Sequence, residues 1–503
     1  MSTAVYDYNQ RKVETRLVKT LQRRKREATI ADLVADTGLP TYQVEETIKQ
    51  IVNDYQGHMK VTESGEVLYH FPHGMRNQVH GVIPRTRRFF RKVGSWFGRA
   101  LKVGFKVWTM VMLVGYFVVF VLLLLLAMVA AMAAQAKGGG GGGGGRGGMG
   151  GFGMFYLTTR LAQMFLYLWM FSGSRPDSRG RKPKGPPLHQ SVFAFVFGSG
   201  NPIADWDQKE RRAFLAFLRE NKGIATVEDL MQLTGHDYQR AQILMNRLLV
   251  EFNGEPEATE EGTLIYRFEE VLRSADSSTD TLSGTVFNRE MKPLIPFNNN
   301  KPSLNRWIGF FNGFNLVFGS YFTILTFMLP GITAEGFGAF YLLVVALFAQ
   351  ITATPTAAVT IVFWVMGLIP AVFSALFFTI PAVRRAREKK INERIQYENI
   401  RKRVINAVME HPEEVDPEFI EVGEIQGLSR DQVREIVTRI VGELAAERGA
   451  EVHQKREAMG DKPAAYTYHF HDIAREKQDV ERVRSSIDTS RFETGQVVFD
   501  SDQ

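Results

Sequence analysis

The sequence predicts a mainly α-helical membrane protein in which three small α+β domains alternate with blocks of transmembrane helices. Three observations lead to this prediction. The chain has uncharged apolar runs long enough to cross a bilayer, a pattern near its start recurs 197 positions later, and its 503 residues exceed what one small domain needs. The net charge of +7 and the 45% hydrophobic content average over these unlike regions, so local patterns carry more information.

The first predicted span runs from Val107 to Ala136 and contains no charged residue. A crossing needs about 20 apolar residues, and a buried helix of a soluble domain rarely stays apolar on every face for so long. Because about a hundred residues precede this run, it is not a cleaved signal peptide.

A second apolar block covers Ile308–Leu329, Thr333–Ala353 and Ala357–Ile380, which are separated by Pro and Gly breakers. The shorter run Met154–Phe171 includes Arg160 and Gln163, so it could span, lie in the interface or re-enter the bilayer. The block therefore contributes two or three helices, and the chain has three to five spans in total.

Basic clusters flank the first span, Met154–Phe171 and the last span, and such clusters favour the cytoplasmic side. All three are cytoplasmic with four spans, provided that Met154–Phe171 crosses and one later segment is re-entrant. This arrangement is preferred; if Met154–Phe171 does not cross, the middle domain lies outside. The expected location is the inner membrane of the cell, with the soluble domains in the cytoplasm.

Self-comparison aligns two soluble regions without a gap. Thr29–Leu33 matches Thr226–Leu230, Thr37-Gly38 matches Thr234-Gly235, and Leu68–Phe71 matches Ile265–Phe268. A looser third copy places helices at Val404–Met409 and Val433–Leu444 and a strand at Tyr466–Phe470. Asp54–Gly57 also matches Glu251–Gly254, and Thr62–Gly65 matches Thr259–Gly262, at the same offset as the first three pairs. Five matches on one diagonal are unlikely by chance, so an internal repeat is predicted.

The first copy has the periodicity of a first helix (Val13, Leu17, Val18, Leu21), a short helix from Thr29, a third helix over Thr41–Asp54 and a hairpin of Met59–Val61 and Val67–Phe71. This order resembles the winged helix-turn-helix fold over residues 9–72, 205–269 and 398–471. Ser191–Gly198, Asn201-Pro202 and Asn312-Gly-Phe-Asn315 are also similar to a family of uncharacterised multi-pass membrane proteins of bacteria and chloroplasts.

Winged helices usually read DNA with the helix after the turn, supported by Lys and Arg. Here acidic residues balance or outnumber basic ones on these helices, which disfavours nucleic acid and favours an unknown protein partner. The candidate partner contacts are Glu45, Glu46, Lys49, Arg240, Arg247, Arg434 and Arg439.

The basic charge lies instead on the first helix and before the first span. This pattern is typical of a surface resting on anionic lipid, although a solvated face and nucleic-acid contact stay open as alternatives. The candidate lipid contacts are Arg16, Lys19, Arg23, Arg24, Lys25, Arg26, Arg85, Arg87, Arg88, Arg91 and Lys92.

No feature predicts an enzyme, a metal site or a cofactor. The chain lacks cysteine, which removes disulfides, thiolate nucleophiles and Cys-ligated metals. The histidines lack partners at ligand spacing, and the Gly138–Gly145 run lacks the Lys-Ser/Thr ending of a phosphate loop, so it is a flexible linker. Glu335 is the single acid in the later apolar block, which makes a transporter the less favoured class.

The prediction is a non-enzymatic scaffold or regulator that presents repeated interaction modules. A membrane-tethered DNA-binding regulator is the alternative, and homo-oligomerisation stays open. The predicted regions are a domain with a basic first helix (1–80), a basic juxtamembrane segment (81–106), a span (107–136), a Gly-rich linker (137–153), a second membrane segment (154–171), a basic linker with an apolar strand (172–200), a second domain (201–270), a polar linker (271–305), a membrane block (306–383), a third domain (384–475) and a charged tail (476–503).

Overall fold

The protein is described by a computed structural model, and its chain divides into two compact units. The described residues are 8–24, 27–72, 82–137, 186–273, 287–332, 337–352, 354–456, 465–488, 492 and 496–501. One unit, here the three-segment unit, combines segment 1 (Met1–Gly81), segment 2 (Pro202–Leu294) and segment 3 (Ile391–Gln503). The other, here the apolar-helix unit, combines Val82–Asn201 with Ile295–Lys390. The described chain is mostly helical, with small antiparallel sheets.

Segment 1 contains, in order, α1 (Gln10–Arg23), β1 (Glu27–Ala28), α2 (Ile30–Thr37), α3 (Thr41–Tyr55), β2 (His58–Thr62) and β3 (Val67–His70). The short helix α2 has strong end signals. Thr29 and Asp32 form a reciprocal capping box, and Gly38 ends the helix with φ +64°. A residue with a β-carbon pays a steric penalty at such a φ, so glycine suits the turn.

The first stretch of the apolar-helix unit holds α4 (Val82–Lys137) and α5 (Leu188–Phe197). The expected apolar strand in 172–200 is wrong, because its apolar run is the helix α5, which begins after Pro187. A short continuous apolar run does not separate a strand from a buried helix by periodicity. The Gly-rich linker and the segment Met154–Phe171 lie outside the described residues, apart from Lys137 at the end of α4.

Segment 2 contains α6 (Trp206–Glu220), β4 (Ile224–Ala225), α7 (Val227–Thr234), α8 (Tyr238–Glu251), β5 (Glu255–Ala258) and β6 (Leu264–Arg267). The strand β4 pairs with β6, and Ile224 lies opposite Arg267. In segment 1, β1 pairs with β3 in the same way, and Glu27 lies opposite His70. These paired positions are 197 residues apart. A capping box of Thr226 and Asp229 begins α7 as the equivalent one begins α2.

The later apolar stretch holds α9 (Pro302–Phe327), α10 (Phe337–Ala349) and the first part of α11 (Pro355–Glu410). By length and composition, three helices in the described chain could cross a membrane: Val103–Ala130 within α4, α9 and α11. Val362–Leu368 within α11 is a π-helical stretch that packs against α9. There the two backbones approach closely, since a β-carbon on Gly319 would lie 2.7 Å from the nitrogen of Ala371.

Segment 3 comprises the end of α11, then α12 (Arg430–Arg448), β7 (Glu451–Arg456), β8 (Ala465–His469), α13 (His471–Ser486) and β9 (Val497–Asp500). A single bridge, Val415↔Tyr468, stands where segments 1 and 2 have a short strand, and Pro412–Leu428 has no α-helix matching α2. The predicted charged tail, residues 476–503, contains regular secondary structure. It contains part of α13, and β9 pairs with β2 to extend the sheet of segment 1.

One continuous hydrophobic core runs through all three segments. Leu17 of segment 1, Leu215 of segment 2 and Val404 of segment 3 belong to it, and each is at most 1% exposed. Burial of such a side chain stabilises the folded state by about 1.5–3 kcal/mol. Regions that are far apart in sequence therefore fold as one body.

Candidate functional site

A row of basic side chains follows the outer face of α1. Lys12, Arg16, Lys19 and Arg23 are spaced i, i+4, i+7 and i+11, and all four are exposed. The opposite face carries Val13, Leu17 and Leu21, which are buried in the core. This row is named the basic stripe. The amphipathic pattern of α1 therefore fixes which charges reach the surface.

The structure removes Arg24 from the predicted lipid contacts. Its side chain is only 6% exposed, and its guanidinium lies 2.6 Å from a carboxylate oxygen of Asp36 and 3.2 Å from one of Asp32. Burial acts to raise the pKa of Asp36, but the hydrogen bond and charge of Arg24 outweigh it and lower that pKa. Arg24, the residue that follows α1, is a structural ion-pair residue because its side chain is directed to the inner side.

The other predicted lipid contacts are distributed between two regions. Arg16, Lys19 and Arg23 belong to the basic stripe, and Lys25 and Arg26 lie outside the described residues. The remaining five fall within α4, whose side chains in that part are likewise not described: Arg85, Arg87, Arg88, Arg91 and Lys92.

The predicted partner contacts on α3 lie on the surface of segment 1. Glu46 accepts a hydrogen bond from the hydroxyl of Tyr8 over 2.7 Å, and Lys49 is exposed. Glu45 is half-buried and lines a cavity of about 140 Å³ together with Glu66 and Arg273.

The arginines predicted as partner contacts carry acidic neighbours. Arg240 lies 3.4 Å from Asp237, and Arg247 lies 2.8 Å from Glu251. Arg439 pairs with Glu435, whereas Arg434 is exposed. These residues belong to different segments and do not converge on one site.

The contacts between segments form a set that sequence reasoning missed. At the first junction, Gln208 Nε2 donates to the carbonyl of Thr37, and Arg219 donates to the carbonyl of Ala31 at 3.2 Å. A β-carbon on Gly38 would lie 3.0 Å from Arg212 Cγ. The end of α2 thus packs directly on the first helix of segment 2.

The second junction uses the equivalent elements. Asn406 Nδ2 donates to the carbonyl of Gln232, and Arg484 donates to the carboxylate of Asp229 at 2.6 Å. A β-carbon on Gly235 would lie 2.5 Å from the carbonyl oxygen of Glu398. Segment 2 therefore meets segment 3 as segment 1 meets segment 2, and the recurring Thr-Gly and capping Asp were the available signals.

Two buried groups with unusual pKa values lie near the second junction. Burial raises the pKa of Glu210 to about 7, although the charge of Lys292 and a hydrogen bond from Trp206 oppose this. Burial lowers the pKa of Lys402 to about 8, and its Nζ donates to the carbonyls of Phe287 and Glu290. The two groups also act on each other, because the charge of Lys402 lowers the pKa of Glu210 and the charge of Glu210 raises the pKa of Lys402.

Potential metal ligands are scattered. Among the described side chains, no group of three or more His, Cys, Asp or Glu residues is placed to hold a metal ion. His70 pairs with Glu27 at the edge of the first sheet, and His471 and Glu451 are hydrogen-bonded at 3.2 Å in segment 3.

Taken together, these features define a mainly helical protein with membrane-length apolar helices and a composite three-segment body. The chain is 21% identical over 262 residues to an uncharacterised chloroplastic protein of Arabidopsis thaliana, a match that covers 50% of this chain and 48% of that protein. The chain thus spans about half the length of the relative. No family model and no solved structure matches.

Proposed function

We propose that this protein is a non-enzymatic, multi-pass membrane scaffold that presents three winged-helix-like modules as a single interaction body. The core shared by segments 1, 2 and 3 carries this proposal. Modules joined by a common core expose one composite surface with fixed geometry, which suits the assembly of partner proteins. The helix, strand, helix, helix and hairpin order of segments 1 and 2, at a constant spacing of 197 residues, supports a duplicated winged helix.

A shared core also constrains the membrane topology. Segments that fold together must lie on the same side of the bilayer, so the chain crosses an even number of times between them. Between segments 1 and 2, we propose that α4 crosses and that the return crossing is made by Met154–Phe171, which lies outside the described residues. Between segments 2 and 3, α9 and α11 cross, and the 13 residues of α10, about 20 Å long, re-enter without spanning a core of about 30 Å.

The junctions favour protein partners over DNA. In DNA-reading winged helices, the N-terminal end of the helix after the turn contacts base edges. Here Asp237, the N-cap of α8, lies 3.7 Å from Arg401 of segment 3, and Tyr238 lies under the guanidinium of Arg448. This end of α8 is engaged within the protein. The exposed arginines beside it have acidic neighbours, which weakens attraction to phosphate.

The basic stripe on α1 supports contact with anionic lipid. Each Lys or Arg near such a surface contributes about 1 kcal/mol, and the contribution declines with salt. In this proposal the composite body lies on the cytoplasmic face of the inner membrane, and the stripe and the five basic residues at the start of α4 support that location.

The absence of cysteine makes a direct topology test possible. We expect Lys49→Cys, Gln242→Cys and Arg434→Cys, one exposed site in each segment, to react with a membrane-impermeant maleimide from the same side of sealed membrane vesicles. The unmodified chain is the control and should not react. Labelling of Gln242→Cys from the opposite side would refute a composite body.

Partner type is tested separately. We expect crosslinking in native membranes to trap specific proteins through single-cysteine positions on α3 and α12, and the purified chain to show no salt-dependent binding to duplex DNA. Strong DNA binding that declines with salt would instead support a membrane-tethered regulator.

A further inference from the structure

Among the described residues of the apolar-helix unit, four polar side chains are almost fully buried. They are Ser191 on α5, Asn312 and Asn315 on α9, and Ser374 on α11, and each is at most 1% exposed. Asn312 and Asn315 lie near the middle of a helix long and apolar enough to span a membrane. Polar side chains in such helices usually face neighbouring helices, where they bond across the interface.

The donors of these asparagines are satisfied, whereas the acceptors are not. Asn312 Nδ2 donates to the carbonyl of Ser374 at 2.9 Å, and Asn315 Nδ2 donates to the carbonyl of Leu113 at 2.7 Å. The Oδ1 atoms of both asparagines and the hydroxyls of Ser191 and Ser374 are buried without a hydrogen-bond partner in the structure. An unmatched acceptor in an apolar interior is costly, and a bound water or ion is the usual explanation.

Three helices, α4, α9 and α11, surround these polar groups. Asn312 and Asn315 are three residues apart, so they share one face of α9, and their bonds reach α11 and α4 respectively. Less than two turns from Ser374, the helix α11 has its π-helical stretch, and Gly319 and Gly367 bring the two helices into backbone contact. π-Helical turns recur at functional sites.

We propose that a small polar guest, a water molecule or a monovalent cation, binds between α4, α9 and α11 at Asn312 Oδ1, Asn315 Oδ1 and Ser374 Oγ. Both guests share the required chemistry, because each presents positive charge to oxygen lone pairs. A water molecule can donate to both amide oxygens and accept from the hydroxyl. The three oxygens belong to neutral groups, and this disfavours a divalent cation, which normally takes carboxylate ligands.

The test measures thermal unfolding of the full-length chain in detergent, in NaCl, KCl or choline chloride at equal ionic strength. With a guest bound, Ser374→Ala lowers the midpoint by about 2 °C or more. Thr379→Val is the matched control, because its hydroxyl bonds locally to the carbonyl of Ala375 and it lies on the same helix. This control keeps the three proposed oxygens, so its midpoint should respond to the salts as that of the unmodified chain does.

The salts distinguish the two guests. A midpoint that rises with Na⁺ or K⁺ relative to choline, and no longer does so in Ser374→Ala, identifies a cation. A loss in Ser374→Ala that is equal in all three salts identifies water. If Ser374→Ala leaves the midpoint unchanged or raises it, and the unmodified chain shows no salt preference, then no guest is bound and the proposal is overturned. Retention of the wild-type elution volume confirms that the variant is folded.

Discussion

The guanidinium of Arg484 donates a 2.6 Å hydrogen bond to the carboxylate of Asp229, and each of these side chains is only 14% exposed. Arg484 lies on α13 and Asp229 caps α7, so the pair joins segment 3 to segment 2. Arg219 approaches the equivalent Asp32 at 3.6 Å across the first junction. A capping aspartate is therefore recognised by an arginine of the following segment at both junctions.

We expect Arg484→Ala to lower the free energy of unfolding by about 3 kcal/mol, because it leaves a largely buried carboxylate without its partner. Chemical denaturation of the full-length chain, monitored by tryptophan fluorescence, measures the change. Arg475→Ala on the same helix is the control, since Arg475 is 65% exposed and pairs with an exposed Asp472. Its effect should stay under about 0.5 kcal/mol, and equal losses would contradict the role assigned to the junction.

Gly235→Ala should destabilise the second junction by about 3 kcal/mol or more. The added β-carbon meets the carbonyl of Glu398 at 2.5 Å, and φ is +74°. Gly262→Ala has a similar φ of +87° but no neighbour within 4 Å, so it reports the backbone cost alone, about 1–2 kcal/mol. The difference between the two variants isolates the contact with α11. Indistinguishable denaturation midpoints would show that the two segments do not pack there.

The stability of the protein should depend on pH through Glu210. Its pKa is about 7 when folded and near 4.5 when unfolded, so the folded state holds the extra proton between these values. This group's contribution to stability is consequently greatest below pH 4.5 and declines as pH rises to about 7. Glu210→Gln removes that decline, keeps an acceptor for Trp206, and should be more stable than the unmodified chain at pH 8 by up to about 3 kcal/mol.

Thermal unfolding between pH 5 and pH 8.5 measures this effect. The exposed Glu424→Gln is the control and should shift the midpoint equally at every pH. A Glu210→Gln variant that keeps the full pH dependence of the unmodified chain would assign that dependence to other groups.

The basic stripe predicts a lipid-dependent change in accessibility. We expect Thr15→Cys, an exposed site on α1, to react with maleimide several times more slowly in nanodiscs of anionic lipid than in neutral ones. Screening by 0.5 M salt should restore the rate. Replacing Lys12, Arg16, Lys19 and Arg23 with Gln should remove the difference without unfolding segment 1, because the buried face of α1 is untouched. Equal rates in both lipids would rule out the contact.

Local periodicity was sufficient to predict the three helices and the hairpin of segment 1, but not the short strand β1. The apolar spacing of Val13 and Leu17 placed α1, and Thr29 with Gly38 bounded α2. These are short-range signals that depend on residues within a few positions of each other. They fail where tertiary packing decides, as in α5, whose apolar residues suit a strand equally well until they pack against α4.

Contacts between residues far apart in the sequence explain the other differences between the sequence predictions and the structure. Charge counting treats Arg23 and Arg24 alike, and both pair with Asp36. Yet the side chain of Arg23 is 64% exposed, whereas that of Arg24 is 6% exposed and also pairs with Asp32. Likewise, composition describes residues 476–503 as a charged tail, although Val61 pairs with Phe499. The junction contacts Gln208–Thr37 and Asn406–Gln232 join residues more than 170 positions apart, and the recurring local signals at the ends of α2 and α7 do not specify these partners.

The pairing of β2 with β9 has a consequence for biosynthesis. β9 is synthesised about 435 residues after β2. At about 5–20 residues per second, the edge of β2 therefore stays unpaired for roughly 20–90 s. During that interval the apolar helices must be inserted while an incomplete sheet exposes unpaired backbone groups, which other strands can capture. Maturation of the first module is thus tied to completion of the last one, and a ribosome stalled late in the message leaves a nascent chain whose earliest sheet is still open.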